Sequence, residues 1–130
     1  MKTTDPLEIA DRIKLKFHFD NYKGGFLFFN TAKQSTWLIF SDKDVFCVLQ
    51  TFAGNLVTVK FRMRTKDLVD NINQVKFENI QKDWLPDYSD GKFENYGFII
   101  FPNVSEKFYY SKTLFPFTQE IIDNIINYTK

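Results

Sequence analysis

The sequence predicts an α+β domain built mostly of antiparallel strands, a β-barrel or sandwich, with a short helix at its start and an amphipathic helix capping its end. Three observations carry that prediction. Residues 36–50 hold two apolar runs, Trp37 to Phe40 and Val45 to Leu49, joined by Ser41-Asp42-Lys43-Asp44. Each run is too short for a typical helix and rich in aromatic and β-branched residues, which suit a pleated surface. Residues 56–65 alternate, with Val57, Val59, Phe61 and Met63 on one side and Thr58, Lys60, Arg62 and Arg64 on the other. Ile121, Ile122, Ile125, Ile126 and Tyr128 form an apolar stripe at helical spacing.

Composition bounds the rest. A chain of 130 residues is read as one domain, able to bury roughly two-thirds of its unfolded surface without staples. With 44% hydrophobic and 25% charged residues it is globular rather than disordered. There are 16 Phe residues, enough to fill most of a core, so an aromatic ring is a weak marker of function here. A lone cysteine, Cys47, excludes an internal disulfide and reads as a small buried hydrophobe. No apolar run reaches the ~18 residues of a membrane span, and the first residues lack the apolar region of a signal peptide. The expected location is cytoplasmic.

In chain order, Asp5 caps a helix over residues 6–13, with Pro6 in its first turn, Glu8 three residues after the cap, and Leu7, Ala10 and Ile13 on one side. Residues 14–20 alternate and predict a half-buried strand: Leu15, Phe17 and Phe19 inward, Lys14, Lys16 and His18 outward. A turn at 21–25 uses Gly24-Gly25, and strands follow at 26–30 and through the central hairpin, whose low polarity predicts cover on both faces. A turn at 52–55, a helical turn or two at 66–73, a strand at 75–80 and a long loop at 83–95 come next. A hairpin then pairs 96–101 with 108–111. Thr118 is the expected cap of the last helix, with Phe117 stapled onto Ile122.

Several antiparallel strands followed by one C-terminal helix resemble a pleckstrin-homology-like domain. Lys23-Gly24-Gly25-Phe26-Leu27 is similar to that family's Lys-x-Gly-x-Leu opening; Trp37 starts the second strand, and Phe46-Cys47-Val48-Leu49 lies in the third. The resemblance spans residues 23–130, leaving 1–22 as an N-terminal extension. Residues 118–130 contain no Trp, and Thr36, Leu38 and Ile39 stand where phosphoinositide-binding members carry cations. The resemblance therefore implies a non-enzymatic interaction module more than a lipid-headgroup site. Tyr96, Gly97, Phe98, Ile99 and Phe101 also resemble the core of an RNA-recognition motif, which would imply base stacking. Glu94 and Asn95 replace its basic residue and first glycine, so an ordinary buried strand is the expectation.

Candidate sites are few. Lys60, Arg62, Arg64 and Lys66, at period two and ~3.3 Å per residue, would line roughly 20 Å of one strand face and could meet an anion, a nucleic acid or a lipid headgroup. The plain alternative is a solvated face paired with acids such as Glu78. Net charge is +1, but residues 1–66 carry 11 basic and 6 acidic side chains, a net of +5, and residues 67–130 carry 6 and 10, a net of −4. Leu15, Phe17 and Phe19 are candidates for an interface, with a protein partner or a second copy in a symmetric dimer. His18 is read as an outward strand residue, since one His and one Cys are too few for a zinc site. Asp87, Asp90 and Gly91 hint at a calcium loop but lack its alternating oxygen ligands. Gly24-Gly25 is not followed by the Gly-Lys-Ser/Thr of a phosphate loop. No catalytic constellation is found, and no cofactor or metal is expected.

Overall fold

The structure is a computed structural model and describes residues 3–19, 21–51, 56–81 and 92–130. Helix α1 (Pro6–Ile13) leads into a four-stranded antiparallel meander, β1 (Gly24–Asn30), β2 (Gln34–Phe40), β3 (Asp44–Thr51) and β4 (Leu56–Arg64). Helix α2 (Thr65–Asp70) and a 3-10 turn over Ile72–Gln74 carry the chain to a three-stranded meander, β5 (Lys76–Asn79), β6 (Tyr96–Ile100) and β7 (Phe108–Ser111). Helix α3 (Gln119–Tyr128) closes the order. The α+β class is as expected. Among the described residues the two sheets form a sandwich and do not close into a barrel. They meet along β1 and β7, where the Asn30 N–H donates to Ser111 Oγ at 3.2 Å.

The four-stranded sheet is covered on both faces. On its inner face Phe28, Phe29, Leu38, Phe40, Val45 and Cys47 meet the second sheet and α3, whose Ile121 and Ile125 are fully buried. On its outer face Trp37, Ile39, Phe46 and Val48 meet Ile9, Ala10 and Ile13 of α1 and Phe19 beyond it. β2 and β3 are thus central, as their unbroken apolar runs imply. The turn between them is closed by Ser41 rather than by an aspartate: its hydroxyl accepts from the Asp44 N–H at 3.1 Å, and its own N–H donates to Asp44 O at 2.9 Å.

Two β-bulges decide which side chains reach which core. In β1, Leu27 is opposite Trp37 and Phe29 is opposite Thr36, so Phe28 is the extra residue. Two consecutive rings, Phe28 and Phe29, therefore both enter the inner core while Leu27 stays outside. In β4, Val59 is opposite Val48 and Phe61 is opposite Cys47, leaving Lys60 as the extra residue. An inserted residue reverses the facing of everything after it. Val57 and Val59 thus pack on the outer core, and Phe61 and Met63 on the inner one. The single apolar face expected for residues 56–65 is corrected to two half-faces.

The strand expected at residues 14–20 is not formed over its described part, residues 14–19. The helical spiral runs on past α1 as an irregular turn: the Phe17 N–H donates to Ile13 O at 3.2 Å and the Phe19 N–H to Lys14 O at 3.0 Å. His18 then takes a positive φ of 49°, which ends the spiral. With no strand beside them, these residues gain backbone bonds by coiling, and the alternation reflects only which rings reach the sheet. At the other end, α3 has no side-chain cap from Thr118; the Phe117 N–H donates instead to Glu120 Oε1 at 3.1 Å. Phe115 enters the core and Phe117 stays 73% exposed rather than stapling inward. Gly24, at φ 131°, lies where the end of α3 comes down: a Cβ there would run into the Tyr128 ring, which stacks on Phe26 and Phe40 at 5.9 and 5.3 Å. The expected turn at 52–55 lies outside the described residues, as does most of the expected loop at 83–95.

Candidate functional site

The bulge breaks up the cationic line. Lys60, at the bulge itself, reaches Glu106 in the β6–β7 connection, with Nζ 3.4 Å from Oε2. Arg62 points to the outer side, opposite Phe46, and lies over that ring at 5.3 Å. Its guanidinium donates to Asp44 Oδ2 from Nη2 at 2.7 Å and from Nε at 3.2 Å, and from Nη1 to Phe17 O at 3.3 Å. Arg64 approaches the same carboxylate at 3.9 Å. Lys66 has left the strand altogether and sits exposed in the first turn of α2. The expectation of four cations on one face is therefore corrected: Lys60 and Arg62 serve opposite sides of the sheet, and each already holds a carboxylate. Glu78, the acid expected beside them, pairs with Lys107 at 2.6 Å on the second sheet.

Of the three interface candidates, the structure frees one. Phe19 is buried, with its ring 5.1 Å from Phe46. Phe17 is half-buried edge-on against the same ring at 5.9 Å. Leu15 is 90% exposed, between exposed Lys14 and Lys16, on the outermost bend of the turn after α1. The ammonium of Lys16 lies 5.7 Å from the centre of the Phe17 ring. Arg12 is exposed one turn earlier, so the bend presents one aliphatic side chain among three cations. His18 is exposed but is not a strand residue. It lines a depression of about 330 Å³ with Lys43, Asp44 and Arg62.

Two further concavities lie at β4. A groove of about 570 Å³ runs between the Asp42–Lys43 turn and α2, with Arg64, Lys66, Asp67, Asp70 and Val69 along it. Its cations and acids balance, so it has no preference for one sign of charge. A recess of about 440 Å³ opens where the sandwich is not closed, between β4 and the β6–β7 connection. Phe61, Met63 and Val104 give it apolar walls, and Asp67, Asn103, Ser105 and Arg62 a polar rim. The sequence gives no sign of this recess, because only the bulge turns Phe61 and Met63 toward it and only the open sandwich leaves it uncovered.

Other candidates are absorbed by the core. Tyr96, Phe98 and Phe101 are buried, with Phe98 stacked on Tyr109 at 5.1 Å, so they offer no platform to a base. A Cβ at Gly97 would meet the Tyr110 ring, which accounts for that glycine. Cys47 is buried in the inner core, and burial first, then the nearby Glu106 carboxylate, push its thiol well above the usual range. That suppresses the nucleophilic thiolate. Burial likewise raises the Tyr109 and Tyr110 phenols. Asp87, Asp90 and Gly91 lie outside the described residues; among the described ones no group of three His, Cys, Asp or Glu side chains could hold a metal ion. No helix among them is long and apolar enough to cross a membrane. Against known proteins, no family model, curated protein or solved structure matches the chain.

Proposed function

We propose that the chain is a non-enzymatic, pleckstrin-homology-like interaction module that works by docking a protein surface. The observation that carries this reading is Leu15, an aliphatic side chain 90% exposed on a bend whose neighbours Phe17 and Phe19 are tied to the sheet. An isolated exposed Leu is ordinary. One held out on a firmly anchored bend among three cations has the form of an interface anchor, apolar in the middle and charged at the rim. The order of a four-stranded meander, a three-stranded meander and a closing helix supports the pleckstrin-homology-like assignment. The cytoplasmic setting goes with this reading, where a single reduced thiol is at home. The alternative of an anion-binding module on Lys60, Arg62 and Arg64 has less behind it, because Glu106 and Asp44 already hold those cations.

The test is capture from native lysate on immobilised full-length protein and on its Leu15→Asp variant. Leu15 touches nothing that folding requires, so the variant should melt as the parent does. Proteins retained by the parent, further copies of the chain included, should be lost from the variant. Identical retention on both would reject the docking role of this bend.

A further inference from the structure

We propose that the groove between the Asp42–Lys43 turn and α2 binds a short zwitterionic peptide, taking its carboxylate at Lys43, Arg64 and Thr65 and its ammonium at Asp67 and Asp70. The inference goes beyond the docking reading and does not rest on it, because no residue of the Leu15 bend lines this groove.

The first support is a set of charges that share one space without pairing. The groove has a volume of about 570 Å³, within the range of small-molecule sites. Among the described residues, none of Lys43, Lys66, Asp67 and Asp70 forms an ion pair, although all four line the groove. Lys66 and Asp70 are four apart on α2, a spacing at which opposite charges meet on a helix, and they still do not pair. Arg64 is held only loosely, with Nε 3.9 Å from Asp44 Oδ1 and its side chain 65% exposed. Asp42 is engaged elsewhere: its Oδ2 accepts from Asn21 Nδ2 at 2.6 Å. The charges left over are of both signs, which suits a ligand that carries both.

The second support is how each sign is gathered. The Thr65 N–H donates to Lys43 O at 2.8 Å, which brings Lys43 beside Thr65 and its chain neighbour Arg64. Thr65 lines the groove at 9% exposure, and its hydroxyl is buried with no hydrogen-bond partner. Buried hydroxyls are normally paired. A carboxylate seated at Lys43 and Arg64 would give this one its acceptor. Asp67 and Asp70 are three apart and so share a side of α2, where one ammonium can meet both. The half-buried Val69 adds apolar surface.

The third support is selection. A simple anion is repelled by Asp67 and Asp70, and a simple cation by Lys43 and Arg64. A single chain terminus of a folded protein brings one charge. A short peptide brings both, separated by its own length.

The experiment is an NMR titration of the full chain with trialanine at fixed ionic strength, beside N-acetyltrialanine and trialanine amide, each of which lacks one terminal charge. Trialanine should move the amide signals of Lys43, Thr65 and Asp70 to saturation. Each blocked form should bind about tenfold more weakly. Lys43→Gln should shrink the preference for trialanine over its amide, and Asp70→Asn the preference over the N-acetyl form. Thr65→Val should weaken trialanine binding with melting unchanged or raised, since the hydroxyl has no partner in the chain to lose.

The absence of a saturable shift with trialanine overturns the site. Equal binding of trialanine and both blocked forms overturns recognition of the two charges, and so does inorganic phosphate that moves the same signals as strongly. A Thr65→Val chain that binds trialanine as the parent does, or that melts lower, overturns the role of the hydroxyl.

Discussion

The two faces of the four-stranded sheet are both covered, apart from the recess beside Phe61 and Met63, but by different means. The inner face is sealed by parts of the chain far from it in sequence. Phe28, Phe40 and Cys47 meet Phe101, Ile121 and Ile125, and rings meet rings, as with Phe28 on Phe101 at 6.0 Å and Phe61 on Phe101 at 5.0 Å. The outer face is sealed by an eight-residue helix and the bend after it, all within the first 19 residues. A helix that short is not stable alone in water. It holds its form because Ile9, Ala10 and Ile13 lie on Trp37 and Phe46, and because Asp5 Oδ1 accepts from the Leu7 N–H at 2.9 Å. The contrast teaches that the inner core makes the fold, while the outer core is a local cover that opens at lower cost. The proposed docking bend at Leu15 belongs to that cover.

The largest effect should come from the inner side. A chain truncated before α3 exposes the surface that Ile121 and Ile125 bury, each worth about 1.5–3 kcal/mol, out of a total of about 5–15 kcal/mol for an ordinary domain. Thermal unfolding of that fragment should show no cooperative transition, and a sharp melt would break the comparison. On the outer side, Ile13→Ala should cost about 2–3 kcal/mol by chemical denaturation, at the lower end of the range for such changes. The chain should remain folded, with amide exchange accelerated in α1 before β6. Equal acceleration in both would mean one core, not two.

A smaller loss is expected at the seam between α3 and the sheet. Gly24→Ala adds a Cβ against the Tyr128 ring at a φ that favours glycine, and should lower stability by about 1–3 kcal/mol. If the substitution is neutral, the end of α3 is not seated as described. The smallest effect belongs to the surface. Asp44→Asn weakens the hold on the largely exposed Arg62 and Arg64, so the loss should be about 1 kcal/mol or less and should shrink further in high salt. A larger, salt-independent loss would show that Arg62, through Phe17 O, fastens the outer cover to β4.

Much of this organisation was legible in order along the chain. The helix over Pro6–Ile13 has the boundaries that Asp5, Pro6 and the Leu7-Ala10-Ile13 spacing imply. The central hairpin and the closing helix follow from equally local patterns, because caps, turns and apolar periods act over a few residues. The proposed docking bend was half legible. Leu15 was one of three candidates, but residues 14–20 alternate whether they extend or coil, so pattern alone could not say which side chain is left outside. The Thr118 cap and the Phe117 staple failed for a related reason: Phe115, two residues earlier, had already been drawn into the core.

Local patterns along the chain therefore fix most of the elements, the coil after α1 excepted, and which of their side chains are apolar. Where each apolar side chain points is settled by long-range packing. β1 and β4 each spend one residue on a bulge, at Phe28 and at Lys60. That single extra residue sends Phe28 and Phe29 to the same side, divides the β4 apolar row between two cores, and separates Lys60 from Arg62. The reason is physical. A strand's facing reverses with every residue, so one unpaired position changes the destination of all that follow. Whether a bulge forms depends on how two cores on opposite sides of the sheet are best filled, and no local stretch of sequence contains both.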